Sequence, residues 1–395
     1  MKPFQTFILP ISSHWKMSFV TSGPGKYIWA TGVVLMNLIK LPLLILYYLP
    51  AFTRPDPRWS VFQSIMNNYM SSFIYHTAYV EAVTPLDLEP GSFGDRVVKI
   101  KKGPDSLYTD VARPNSSILP TTTGGIWFPS APKEISFEND RPIILHFHPG
   151  GYGMGDVRTD STFAARNLTD RVGSYALFSL YRLATNPNGG FPAALQDGIS
   201  AYYYLLNDLK VPATKIVLSG DSAGGHILIC MLRYIAAHGK EIGLPAPLGA
   251  LLWSPAIDMT VAGTEPDKIT ANRNYNVDYV NSTFISWGAK RFVSSDPAAS
   301  SYMSSLDAPF NSPCPMWVFC GENELFYDDV SEFVEQMRSI KDNDVTLRVE
   351  PLTNHDIFFA GNFTGWKAEA ERVADEAGAW VEGLVAGSRQ VMGSG

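Results

Sequence analysis

From about residue 95 onward, short β-rich runs alternate with stretches of helical apolar period. Such a pattern buries its apolar residues as a mostly parallel sheet with helices on both faces. Two leading runs, VVKIKK (97–102) and GGIWFP (124–129), precede the first near-continuous apolar one, PIILHF (142–147). SYALFSLY (174–181), KIVLS (215–219), LGALLW (248–253), PMWVFC (315–320) and VTLRVE (345–350) then read as buried parallel strands. Helical patterns fall between them at about 192–208, 223–238, 328–340 and 367–386. The interval 258–310, rich in Asn, Ser, Asp and Pro, breaks this rhythm where a short connection is expected. Long connections above such a sheet hold lids or binding elements, so this interval and the helices of 51–94 are assigned to a cap. A chain of 395 residues thus divides into a tail (1–26), an apolar segment (27–50), an N-terminal helical region (51–94) and a catalytic domain (95–387).

The segment YIWATGVVLMNLIKLPLLILYYLP (27–50) is long enough to cross a bilayer as a helix and carries aromatics near both ends. Lys40 near its middle costs about 2.5–3.5 kcal/mol on an insertion scale, and Pro42 removes a helix hydrogen bond. The apolar run starts late and is too long for the apolar region of a signal peptide, so an uncleaved membrane anchor is expected, spanning in preference to an interfacial helix or hydrophobic lid, or an ordinary buried helix. Lys16 and Lys26 before it, against Arg54, Arg58 and Asp56 after it, place the following domain on the lumenal side of a membrane, with the endoplasmic reticulum as the expected site. Asn115, Asn167, Asn281 and Asn362 each begin an N-x-S/T sequon, mildly consistent with a lumenal glycoprotein.

With a formal net charge of −7 and no basic run, the chain lacks the footprint of a non-specific nucleic-acid binder. Its three cysteines, Cys230, Cys314 and Cys320, have neither metal-finger nor CxxC spacing, and no disulfide is expected.

Chemistry concentrates at Gly220-Asp221-Ser222-Ala223-Gly224, directly after the strand KIVLS and before a helical pattern. The letters GxSxG alone arise by chance roughly 0.2 times in such a chain, but at a strand-to-helix turn they describe an exposed nucleophilic serine. Upstream, PIILHF runs into His148-Pro149-Gly150-Gly151-Tyr152. Backbone N–H groups of Gly150, Gly151 and Ala223 are the candidates to stabilise an oxyanion; Pro149 has no N–H to offer. A base must follow the serine in this order: His226 and His238 lie along the helix that starts at Ser222, leaving His355, in a loop after the last strand. Glu322, Glu324, Asp328 and Asp329 compete as the acid that orients it. Asp328 and Asp329 suit a helix first turn, and Glu324 is favoured.

Taken together, His148-Pro149-Gly150-Gly151, the GDSAGG run to Gly225, Tyr181-Arg182-Leu183-Ala184 with Phe191 to Leu195 and Asp197, and Ser254-Pro255-Ala256-Ile257-Asp258 resemble the hormone-sensitive-lipase branch of the α/β-hydrolase superfamily over about residues 140–385. Pro149 stands where that family has its first glycine, Glu324 where it usually has Asp, and Asn186 to Gly190 form an insertion. The resemblance implies an α/β-hydrolase fold with a helical cap, no metal or organic cofactor, and a serine esterase or lipase acting on a small-molecule ester, lipophilic or acetylated. An acyltransferase or amidase with the same residues, and a catalytically silent receptor, are the rival readings. The sequence carries no code for the acyl and alcohol parts or the oligomeric state.

Overall fold

The computed structural model describes residues 21, 23–133, 141–261 and 266–393. Most of the expected N-terminal tail, with Lys16, lies outside the described residues, as do residues 262–265 of the expected cap insertion. Among the described residues, eight strands form one sheet: β1 (Val97–Ile100), β2 (Thr123–Phe128), β3 (Ile143–Phe147), β4 (Tyr175–Leu180), β5 (Ile216–Asp221), β6 (Gly249–Trp253), β7 (Met316–Gly321) and β8 (Val345–Glu350). Their order is β1-β2-β4-β3-β5-β6-β7-β8. Only the β1–β2 and β2–β4 pairings are antiparallel. Each run expected from the sequence is a strand, and the crossover of β3 and β4 sets β3 beside β5, with Phe147 opposite Gly220.

The alternation of side chains along each strand sorts them into two cores. Ile143, Leu145 and Phe147 of β3, with Leu218 and Val318, face the buried sides of helices α3 (Ala193–Tyr203), α4 (Ala223–Ile242) and α6 (Tyr327–Arg338). Ile144, Val217, Trp253 and Phe319 face the opposite way, onto α7 (Ile357–Thr364) and α8 (Lys367–Gly393). Buried Val373, Ala374, Ala377 and Val381 recur at helical spacing on α8 and form its sheet-facing stripe.

Two N-terminal helices, α1 (Gly23–Tyr48) and α2 (Val61–Tyr79), precede the sheet. A reciprocal capping box starts α2: Ser60 accepts from Gln63 N while the Gln63 side chain accepts from Ser60 N. Just before it, buried Trp59 donates its indole N–H to the Leu352 carbonyl at 2.7 Å, tying the N-terminal region to the loop after β8. The interval 258–310 is more helical than expected, with Pro266–Ala271, α5 (Ser282–Phe292) and Ser300–Met303 among its described residues. On α5, buried Phe284, Ile285, Gly288, Ala289 and Phe292 do follow a helical period behind the N-cap Asn281. Eleven residues are too few for that period to stand out from the polar background.

Two of the four sequons are closed off, because Asn167 and Asn281 are buried, whereas Asn115 and Asn362 are exposed. A glycan needs a surface asparagine, so any modification of the folded chain is confined to the exposed pair. All three cysteines are buried thiols.

At the end of β4, Arg182 clamps the chain to α3. Its backbone N–H and its Nη2 reach Asp197 at 2.9 and 2.7 Å, and Nη1 donates to the Leu119 carbonyl at 2.9 Å. Arg182 is 2% exposed and Asp197 not at all, so removing the carboxylate strands a cation in the core. Asp197→Ala is expected to cost about 3–5 kcal/mol, read as a lowered urea-unfolding midpoint. An unchanged midpoint would mean that other acceptors suffice for the guanidinium.

Candidate active site

Strand β5 ends at Asp221, and the chain turns into α4 through Ser222, whose φ of 51° and ψ of −114° lie outside the regions a residue with a side chain ordinarily occupies. Such a conformation costs about 1–3 kcal/mol and persists only where its surroundings over-determine it. Here Ser222 N donates to the Trp253 carbonyl at 2.9 Å, and Ser222 O accepts from His226 N at 3.1 Å and Ala256 N at 3.0 Å. The turn is tight enough that a Cβ at Gly224 would lie 1.9 Å from the Phe147 carbonyl oxygen, and one at Gly220 only 2.3 Å from that of Gly224. Only glycine fits at either position, which explains the spacing seen in the sequence.

The tight turn brings Ser222 to His355: the serine Oγ is 2.9 Å from Nε2, and Nδ1 is 3.0 Å from Glu324 Oε2. A carboxylate can only accept here, so Nδ1 carries a hydrogen, and in the neutral imidazole Nε2 presents its lone pair to the serine hydroxyl. Glu324 Oε1 accepts from Ser254 Oγ at 2.6 Å and Gly321 N at 2.5 Å, which fixes the carboxylate from its other side. All three side chains are buried. Of the competing acids, Glu322 instead accepts from Leu352 N, Asp328 pairs with Arg273 on the surface, and Asp329 is a first-turn residue of α6.

Burial alone would depress the His355 pKa. The hydrogen bond and charge of Glu324, aided by Asp278 and Asp356, outweigh it and raise the imidazole to about 9. Asp278, which sequence reasoning passed over, is fully buried; it accepts from His355 N at 3.1 Å and from Leu325 N at 2.7 Å. One carboxyl thus staples the histidine loop to the acid loop. Ser254 has a similar role, donating to Glu324 while accepting from Asp356 N at 3.2 Å. Asp278 lies 46 positions before Glu324 in an irregular stretch, and nothing in its local pattern signals this contact.

Gly151 and Ala223 line a small space of about 30 Å³ together with Ser222, His355, Met259, Ile285 and Phe326. Ala223 is the first residue of α4, where a backbone N–H has no acceptor within its own helix. Gly150 lies on a second, larger cavity of about 230 Å³ that also reaches Ser222 and His355. Its walls are mostly apolar: Met70, Phe73 and Ile74 from α2, Val280 and Phe284 at α5, and Phe359 and Phe363 from α7, with Asp156 and Asp160 on one side. Left-handed backbone at Gly150 (φ 120°) and Gly151 (φ 60°) shapes the loop between the two spaces.

Four other histidines have structural partners. His226 meets Tyr152 Oη at 2.6 Å, and His238 lies 3.3 Å from Asp110 near the surface. His148 donates through Nδ1 to the Pro149 carbonyl at 2.7 Å and stacks on Tyr181, burial lowering its pKa to about 4. Beneath the serine, His146 and Asp221 lie 3.2 Å apart, both fully buried; burial lowers the histidine pKa and raises that of the acid, each shift favouring the uncharged form. Among the described residues, no three His, Cys, Asp or Glu side chains converge as a metal site.

Comparison with known proteins follows this geometry. A family model described as α/β hydrolase fold matches residues 144–359. An acetyl-hydrolase of Streptomyces hygroscopicus is 25% identical over 190 residues, 48% of this chain and 60% of that protein. The esterase LipI of Mycobacterium tuberculosis is 31% identical over 142 residues, 35% of this chain and 40% of that protein. This chain therefore spans at most about three fifths of the length of either relative. The crystal structure of an esterase from the bacterial hormone-sensitive lipase family superposes with a TM-score of 0.59 at 21% identity, covering 83% of this chain and 99% of that one, a likeness of fold. Because the family model extends over more than half of its length, this chain belongs to the α/β hydrolase fold family.

Proposed function

We propose that the protein is a carboxylic ester hydrolase working through an acyl-enzyme on Ser222. The observation that carries this reading is the unbroken line of hydrogen bonds from Glu324 through His355 to Ser222, ending where two cavities meet. His355 Nε2 takes the Ser222 proton as Oγ attacks the ester carbonyl, and the backbone N–H groups of Gly150, Gly151 and Ala223 receive the charge that develops on the carbonyl oxygen. Collapse of the tetrahedral intermediate breaks the bond to the alcohol oxygen, which leaves with the proton from His355. Water, deprotonated by the same nitrogen, then releases the acid and restores Ser222. Glu324 keeps the imidazole in the required tautomer and stabilises its charged form.

Two unequal spaces at the serine suit an ester with one short and one long limb. The space of about 30 Å³ has room for little more than a methyl group, and the apolar cavity of about 230 Å³ suits a lipophilic portion. We read the short limb as the acyl group, in keeping with the acetyl-hydrolase among the relatives. The substrate class is accordingly a short-chain acyl ester of a lipophilic alcohol. We also assign α2 and the interval 258–310 to a cap over this site, since both supply cavity walls.

Hydrolysis of chromogenic esters from acetyl to palmitoyl tests the reading. Turnover is expected to be best on the shortest acyl groups and to fall at least ~10³-fold in Ser222→Ala and in His355→Ala. Normal turnover by Ser222→Ala would exclude the acyl-enzyme.

The pH dependence offers a separate check. His355 accepts a proton only when neutral, and its raised pKa makes the neutral form scarce at pH 7. The kcat/KM of the wild type is therefore expected to climb with pH towards about 9. Glu324→Gln removes the main group that raises the pKa and leaves burial to lower it, so the limb moves to lower pH while the plateau falls by about 10²–10⁴-fold. A limb that stays in place would show that Glu324 does not act on His355.

A further inference from the structure

The most apolar window of helix α1 has a mean hydropathy of 1.9, yet only 6% of it is buried. What burial it has is one-sided. Leu44 and Tyr48 pack on Ile65 of α2, Trp29 stacks on Tyr79 at 5.0 Å, and Asn37 meets Ser72 and Tyr69 through hydrogen bonds of 3.3 and 2.9 Å. Lys40 belongs to this same side by helical spacing and is half-buried. On the opposite side, Ile28, Leu35, Ile39 and Leu46 fall within about 20° either side of a common direction around the axis, all exposed and with no charge between them. From Gly23 to Thr53 the chain has no carboxylate; Lys26 and Lys40 are its only ions, and Arg54 follows, then Asp56 and Arg58, which pair with each other at 2.6 Å. An apolar stripe on a segment whose own charges are all cations complements a surface of acyl chains and anionic headgroups.

Helix α2 is itself fastened to the catalytic domain. Asn67 Nδ2 donates to the Val277 carbonyl at 2.8 Å, Asn354 Nδ2 to Asn67 Oδ1 at 2.8 Å, and Asn281 Nδ2 to the Ser71 carbonyl at 3.2 Å. Because α1 is bound along its length to α2, setting α1 along a bilayer normal would draw α2 and the domain edge behind it into hydrocarbon, where exposed backbone and polar groups are costly. Lying in the membrane plane exacts no such cost. The same surface leads to the active site: Phe73 sits about 80° round α2 from the α1-facing Ile65, is 53% exposed, and lines the cavity that reaches Ser222. Phe363, 50% exposed, lines it from α7.

We propose that α1 is an in-plane anchor that lies in one leaflet without crossing it, and that the rim formed by Phe73 and Phe363 opens towards that leaflet as an entrance for lipophilic substrate. This departs from the spanning helix expected from the sequence, and the entrance rests on the ester-hydrolase reading. The helix orientation does not.

Full-length chains with Gly23→Cys or Phe52→Cys, both exposed positions, are treated in sealed microsomes with a membrane-impermeant maleimide; the native cysteines are buried. An in-plane helix makes both positions react alike, either both before permeabilisation or both only after it. Labelling of one before and the other only after shows a crossing helix and overturns the proposal. The double variant Leu35→Glu with Ile39→Glu is expected to lose flotation with phosphatidylcholine–phosphatidylserine vesicles. It should lose at least ~10-fold in kcat/KM on an ester dispersed in those vesicles while turning over a water-soluble acetyl ester normally. Equal flotation, or a wild type that forms a soluble dimer and ignores vesicles, would overturn membrane docking. Equal loss on both esters would overturn the entrance alone, and absence of all ester turnover in wild type would fault the activity reading and leave the labelling result standing.

Discussion

The backbone at Ser222 is the constraint around which the rest is arranged. A serine at φ 51° is unfavourable in isolation, and the sheet holds it there by leaving no alternative. Its N–H is committed to Trp253 on β6, its carbonyl to Ala256 and His226, and the glycines on either side let α4 approach β3 more closely than any side chain would permit. The strain has a local use. It projects the hydroxyl out of the sheet, towards a histidine that arrives from a loop 133 residues further along the chain.

Holding an ionisable group in that buried place requires compensation, and the structure supplies it in layers. Glu324 receives donors from His355, Ser254 and Gly321, while Asp278 and Asp356 secure the loops on either side of the histidine. Elsewhere burial is resolved in two other ways. Arg182 and Asp197 stay paired through several hydrogen bonds, whereas burial pushes His146 and Asp221 towards their uncharged forms. The raised imidazole adjoins both cavities at Ser222, the setting in which a shifted pKa has chemical use.

The N-terminal helices join this chemistry to the surface. Helix α2 turns one side to the domain, one to α1 and an edge of exposed aromatics to solvent, and that edge is shared with the cavity wall. Lys40, an obstacle to membrane burial when α1 is read as an isolated span, is placed by tertiary packing on the side of α1 that faces α2. The apolar stripe on the other side is left continuous.

By itself, the sequence determined the element types and the candidate chemistry. Buried parallel strands read as continuous apolar runs because both faces are covered, and the glycines around Ser222 are legible because sterics tolerate no other residue there. The order of Ser222, Glu324 and His355 along the chain singled them out as candidates. Only the tertiary structure decided that β4 crosses between β2 and β3, that Glu324 rather than its acidic neighbours meets His355, and that Asp278 and Ser254 brace them. Those outcomes depend on contacts between residues tens to hundreds of positions apart, whereas a local pattern records only how each segment satisfies its own backbone and its own buried face.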